Sequence, residues 1–299
     1  MSDDERAGLK KDGIYIPGGR TGILILHGLG GVPSEVRPLA LRMAQAGLTV
    51  LCPKLKGHGG SALLLSTTTW EDWCESAERA FEVLRDECDT VIVAGQSAGA
   101  LLALKLAAEH GKAVSGVILC SPTFWPDGWA VPVHFRLFQL VTTRWFAKLF
   151  KFRLRSPHGI KDERVRRVVF EKLQADRSFE DVIGRHGTTV FEFKKLAGAI
   201  KRKLASVTQP TLIFHSRCDD QAHVRNALAI AQGLSGPSEI VVLTDSYHLL
   251  TLDRERGIVA ERSAQFVGHL AGRASKTAAV PSAPAANITP MTAIPATSA

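Results

Sequence analysis

Apolar positions along this chain follow two alternating rhythms. Short aliphatic and β-branched runs at residues 21–26, 49–52, 90–94, 114–120, 211–214 and 240–243 read as buried strands. Between them, apolar residues recur every three or four positions. After Pro33-Ser34, the residues Leu39, Met43 and Ala46 share one face, and over 70–84 Trp73, Ala77, Ala80, Phe81 and Leu84 do the same. Helical patterns also cover 98–109, 224–234 and about 256–270. Strand and helix in strict alternation predict an α/β fold, with a mostly parallel sheet and helices on both faces.

The alternation stops at Ser121-Pro122 and resumes near Gln209-Pro210. The stretch between is rich in aromatic and basic residues and mostly helical in pattern. It reads as an insertion after a core strand, a cap over the strand ends. The expected organisation is a first half of the core at 1–121, a helical cap at 122–207 and a second half at 208–270. From 271 to 299 the chain is largely Ala, Pro, Ser and Thr, a composition that buries too little surface to fold and predicts a disordered tail.

Composition narrows the class. With 299 residues, 45% of them hydrophobic, the chain can build a sizeable core. No apolar run approaches the roughly 20 residues that span a bilayer, and the acidic start Met1-Ser2-Asp3-Asp4-Glu5 does not resemble a signal peptide. The cysteines at 52, 74, 88, 120 and 218 are odd in number and widely spaced, without metal or disulfide spacing. They read as reduced thiols of a cytoplasmic protein. The net charge is +8, with the positive residues concentrated mid-chain. No nucleic-acid-binding pattern accompanies them.

Chemistry enters at Gly95-Gln96-Ser97-Ala98-Gly99, between the run 90–94 and a helical segment. Strand, Gly-x-Ser-x-Gly, helix is the nucleophile-elbow pattern: small neighbours let the chain turn sharply and hold a serine hydroxyl above the sheet. A serine needs a base, a group that orients the base, and donors for the oxyanion. His248 sits in the loop after the last strand, where such a base is expected. Asp219 and Asp220 both follow the strand 211–214, and either could orient it. Ser, Asp and His then come in the chain order typical of this chemistry. The oxyanion donors would be backbone N–H groups, one from Ala98 after the nucleophile and one from Leu29 in His27-Gly28-Leu29-Gly30-Gly31. Neither glycine-rich segment has phosphate-binding spacing.

These motifs resemble the α/β-hydrolase superfamily, and within it bacterial carboxylesterases and monoacylglycerol lipases. The resemblance rests on His27-Gly28-Leu29-Gly30-Gly31-Val32-Pro33, Arg37-Pro38-Leu39-Ala40, Leu55-Lys56-Gly57-His58-Gly59, Thr69-Trp70-Glu71-Asp72-Trp73, the elbow, His215-Ser216-Arg217-Cys218-Asp219-Asp220, and Ser246-Tyr247-His248 with Thr251-Leu252-Asp253. It implies Asp219 rather than Asp220 as the acid, Leu29 and Ala98 as oxyanion donors, and a structural role for His58. It further implies a serine esterase that cleaves short- to medium-chain acyl esters or monoacylglycerol-like lipids through an acyl-enzyme, with no metal or cofactor. Thioesterase, lysophospholipase or serine aminopeptidase activity would use the same residues, and a non-catalytic ligand-binding version of the fold is the alternative of another class. Ala98 departs from the Met that many relatives carry, and the insertion is longer than in compact monoacylglycerol lipases.

Within the insertion, Phe138, Val141, Trp145, Leu149 and Phe152 recur at three- and four-residue spacing, interleaved with Arg136, Arg144, Lys148, Lys151, Arg153 and Arg155. The spacing predicts an amphipathic helix over 135–155. Such a helix either packs its apolar stripe on the core or lies on an anionic membrane surface.

Overall fold

The computed structural model describes residues 2–153, 155–175 and 183–278. The strands are β1 (Ile14–Ile16), β2 (Thr21–Leu26), β3 (Thr49–Cys52), β4 (Thr90–Gln96), β5 (Gly116–Cys120), β6 (Lys151–Arg153), β7 (Gly184–His186), β8 (Thr211–Ser216) and β9 (Ser238–Leu243). Seven of them form one sheet in the order β1-β3-β2-β4-β5-β8-β9, in which only β1 runs antiparallel. Strands β4 and β5 lie inside the sheet and are buried along almost their whole length. This is why they read as continuous apolar runs instead of alternating ones.

The helices are α1 (Asp3–Asp12), α2 (Arg37–Gln45), α3 (Ala62–Thr67), α4 (Trp70–Glu87), α5 (Ala98–His110), α6 (Arg144–Ala147), α7 (Glu163–Ala175), α8 (Gly187–Lys203), α9 (Arg225–Gly233) and α10 (Arg256–Ala278). A capping box between Thr69 and Asp72 starts α4, which turns Trp73, Ala77, Ala80, Phe81 and Leu84 into the core. The helix after the elbow, α5, has apolar residues nearly all round and is buried accordingly. One core unites α4, α5 and part of α8 with one face of the sheet; a second unites α2 and α10 with the other. This is an α/β-hydrolase arrangement, and it matches the expected fold class.

The insertion departs from its sequence pattern. The segment 135–155 is not one helix: it forms a 3-10 stretch at Val133–Leu140, the short α6, and β6, which pairs antiparallel with β7. Its apolar residues face two ways. Phe135, Phe138, Val141 and Ala147 bury in a third small core with Val190, while Leu137, Leu140, Trp145 and Leu149 are exposed. A single helix would have put its stripe on one face. The insertion therefore contains strands as well as helices.

The two ends also differ from expectation. Ser2 caps α1 through a box with Glu5, and the helix buries no residue, so no hydrophobic period announced it. At the other end α10 continues beyond 270 to Ala278. The alanines that argue against a packed core there are also strong helix formers. The rest of the expected tail, 279–299, lies outside the described residues.

Candidate active site

Sheet register brings the three key loops together. β4, β5, β8 and β9 are successive parallel neighbours, so the loops after β4, β8 and β9 leave the same edge. Ser97 stands between β4 and α5 with φ 55, a left-handed conformation rare for a side chain with a Cβ. Its N–H donates to the Cys120 carbonyl at 2.9 Å, which pins the turn to the neighbouring strand. The flanking glycines are required by space. A Cβ on Gly95 would meet the Gly99 carbonyl at 2.2 Å, and one on Gly99 would meet the Leu26 oxygen at 2.2 Å.

His248 follows β9 and is buried, with its carbonyl accepting from Gln96 Nε2 at 2.9 Å. Its ring lies between two partners. Nε2 is 2.9 Å from Ser97 Oγ, and Nδ1 is 2.8 Å and 3.1 Å from the two Asp219 oxygens. A carboxylate only accepts, so Nδ1 carries the proton and Nε2 is left to accept from the serine hydroxyl. Asp219 is itself fixed by the N–H groups of Gln221 and Ala222, both donating to Oδ1 at 2.8 Å.

The electrostatics follow from burial and pairing. Burial works against a charged His248 ring, but the surrounding carboxylates, Asp219 foremost with Asp220 and Glu35, together outweigh it, and the ring's pKa is raised. Burial likewise opposes ionised Asp219, yet His248 and the N–H donors hold its pKa below the ordinary carboxylate value. Asp220 is different. Its Oδ2 accepts from the Gly159 N–H at 2.8 Å. Burial pushes its pKa up to about 6. Of the two acids that the sequence left in competition, Asp219 is the one at the histidine.

Leu29 lies in the loop after β2, beside the elbow, because β2 and β4 pair with Leu26 opposite Gly95. A Cβ on Gly28 would lie 3.5 Å from Ser97 Cβ, so this loop runs directly against the serine. Ala98 is the first residue of α5, and its N–H belongs to the set that a helix N-terminus leaves without an intrahelical partner. His58 is buried, in edge contact with the rings of His27 and Trp73, and burial holds its pKa well below the usual value.

A cavity of about 440 Å³ opens over Ser97 and His248. Gly28 and Leu29 line its floor, and Phe135, Phe152, Ile183, Val190 and Phe193 supply an apolar wall from the insertion. Glu35 and Arg185 also face it, and neither stands in a motif that the sequence could have flagged. Among the described residues no group of three or more His, Cys, Asp or Glu is arranged to hold a metal, and no helix is long and apolar enough to cross a membrane.

Known proteins are similar to this chain over most of its length. Residues 19–255 match the family described as serine aminopeptidase, S33. The chain is 32% identical to a thermostable monoacylglycerol lipase from Bacillus sp. (strain H-257), covering 86% of this chain and 94% of that protein. It is 24% identical to a carboxylesterase from Bacillus subtilis (strain 168), covering 85% and 94%. A solved structure from a study of the metagenome-derived lipolytic enzymes LipS and LipT has a similar fold, with a TM-score of 0.70 at 23% identity, over 86% of this chain and 96% of that one.

Proposed function

Because the chain belongs to the α/β-hydrolase family described as serine aminopeptidase, S33, and is a carboxylic ester hydrolase, we propose that Ser97, His248 and Asp219 form its catalytic triad and that short- to medium-chain acyl esters or monoacylglycerol-like lipids are its substrates. The observation that carries the reading is the unbroken series from Ser97 Oγ through the His248 ring to Asp219.

Ser97 Oγ attacks the ester carbonyl carbon while its proton passes to His248 Nε2. The Asp219 carboxylate stabilises the imidazolium and holds its tautomer. The Leu29 and Ala98 N–H groups take the negative charge that develops on the carbonyl oxygen. The C–O bond breaks, and the alcohol leaves with the proton from His248. Water then attacks the acyl-Ser97 ester, His248 takes and returns a proton, and the carboxylic acid departs. Every atom balances without a cofactor. The apolar wall and the cavity volume support an acyl chain as the buried part of the substrate. Thioesters, lysophospholipids or peptide amides would react through the same steps, since fold does not fix substrate.

Residues 122–207 act in this reading as the cap that shapes the acyl pocket. Leu137, Leu140, Trp145 and Leu149 are exposed on it, beside exposed Lys148 and Lys151. Apolar side chains among cations support peripheral contact with an anionic membrane. The cysteines 52, 74, 88, 120 and 218 are free thiols, which supports a reducing, cytoplasmic setting.

The test is hydrolysis of p-nitrophenyl esters and 1-monoacylglycerols of graded acyl length by wild type and Ser97→Ala. Turnover peaking at short to medium chains and lost in the variant is expected; full activity in Ser97→Ala would refute the triad.

A further inference from the structure

Arg185 reaches from β7 to the loop after β2. Its Nη2 donates to the Leu29 carbonyl at 3.2 Å and its Nη1 to the Gly184 carbonyl at 2.7 Å. The guanidinium lies face-on against Gly30. A Cβ there would stand 2.5 Å from Cζ, 2.6 Å from Nη2 and 2.8 Å from Nε. Gly30 also has φ +71, a conformation that favours glycine. The strand that carries Arg185 is itself held: Phe152 is its partner across the ladder, and the Phe152 ring packs edge-on against Phe135 and Phe138 at 4.7 and 5.1 Å.

A peptide in a glycine-rich loop can rotate about its flanking bonds. Rotation of the peptides flanking Leu29 would swing the Leu29 N–H away from the carbonyl oxygen of the substrate. The Gly28 carbonyl, in the peptide that bears the Leu29 N–H, accepts from the Gly31 N–H at 3.0 Å; the planar guanidinium that grips the Leu29 carbonyl holds the following peptide, so the backbone is restrained on both sides of Leu29. We propose that Arg185 is a positioning residue that holds the Leu29–Gly30 peptide and, with it, the backbone of Leu29 in its oxyanion-binding conformation, so that an element of the insertion supports the oxyanion hole. This rests on the reading of Leu29 as an oxyanion donor. Lysine, a point charge without the flat fork, would hold the carbonyl poorly.

The experiment measures kcat and KM separately for p-nitrophenyl butyrate with full-length wild type, Arg185→Ala, Arg185→Lys and Ser97→Ala, with and without ethylguanidinium chloride. Loss of a direct oxyanion donor costs about 10²–10³ in kcat. Loss of the residue that orients one is expected to cost roughly tenfold or more in both Arg185 variants, with KM within about twofold of wild type. Ethylguanidinium is expected to restore part of kcat in Arg185→Ala and to leave wild type unchanged. A boronic acid, which mimics the tetrahedral intermediate, should bind the variants more weakly by the factor lost in kcat/KM. Unchanged kcat, or a kcat loss with neither rescue nor weaker boronate binding, would overturn the inference. If Arg185→Ala does not fold, the kcat and boronate values of Arg185→Lys decide alone. Active Ser97→Ala would instead defeat the triad, whatever the Arg185 variants do.

Discussion

The two halves of the catalytic apparatus are held in contrasting ways. The elbow, the acid loop and the histidine loop hang from one edge of a sheet whose inner strands are buried on both faces, and backbone hydrogen bonds set their register. The insertion over them has only a small core of its own. Its last helix, α8, packs Phe193, Leu196 and Ile200 into the main core, and the rest is tied down by individual polar contacts: Arg144 to the carbonyls of Ser66 and Thr68, Asp220 to the Gly159 N–H, and Asp253 to the N–H groups of Lys161 and Asp162. The contrast suggests a division of labour. The sheet supplies the geometry that the chemistry needs, and the insertion supplies a surface that can differ among relatives without disturbing it.

The sharpest way to break this contrast is to neutralise the two adjacent acids separately. Asp219→Asn is expected to lower kcat by about 10⁴-fold, the scale seen when a triad histidine loses its orienting carboxylate. Asp220→Asn should stay within about tenfold of wild type. In the proposed triad His248 serves as a base only when neutral, and its pKa is raised against burial, chiefly by Asp219, so kcat/KM should fall as pH drops through a value above the ordinary imidazole value. Asp220 adds to that rise, so Asp220→Asn should move this acid limb to lower pH. A pH–rate profile for each variant checks both points.

The sheet side should be intolerant of a single methyl group. Gly99→Ala drives a Cβ into the Leu26 carbonyl and should cost about 4 kcal/mol or prevent folding, as a denaturant titration would read.

Asp220 also makes a stability prediction. Its pKa rises from the model-peptide value of 3.8 to about 6 on folding. The folded protein therefore holds a proton that the unfolded chain has released, and stability falls as pH rises from about 4 to 6 and then levels off. By linkage this is worth up to about 3 kcal/mol. Asp220→Asn lacks the titration, so its melting temperature relative to wild type should improve between pH 4 and pH 7.5.

Glu192 is buried and paired with partly exposed Arg144. Glu192→Ala should cost about 2 kcal/mol, below the range for a fully buried pair because Arg144 can turn toward water. Smallest of all, Trp145→Ser with Leu149→Ser should leave stability and p-nitrophenyl ester turnover within error. Binding to vesicles containing anionic lipid, read by sedimentation, is expected to drop severalfold.

The same contrast governs what could be read in the sequence. Strand runs and the α4 and α5 patterns were legible because each apolar side chain serves one surface, and Ser97 and His248 because strand ends confine them to fixed loops. Choosing Asp219 over Asp220 needed the family pattern; the structure separates them by which side chain meets the ring. The insertion was misread because Phe138 and Trp145, seven positions apart, face opposite environments. Helical periodicity cannot express that. Glu192 and Arg185 were illegible for a related reason: each acts through a partner more than 40 residues away in sequence.

The central claim is that Ser97 carries the acyl group. Rapid acid quench of the enzyme with p-nitrophenyl butyrate, followed by peptide mass spectrometry, tests it most directly. A transient butyryl mass on the peptide containing Ser97, formed with a burst of p-nitrophenol and absent in Ser97→Ala, is expected. Turnover without any acylated peptide, or acylation at another residue that persists in Ser97→Ala, would contradict it.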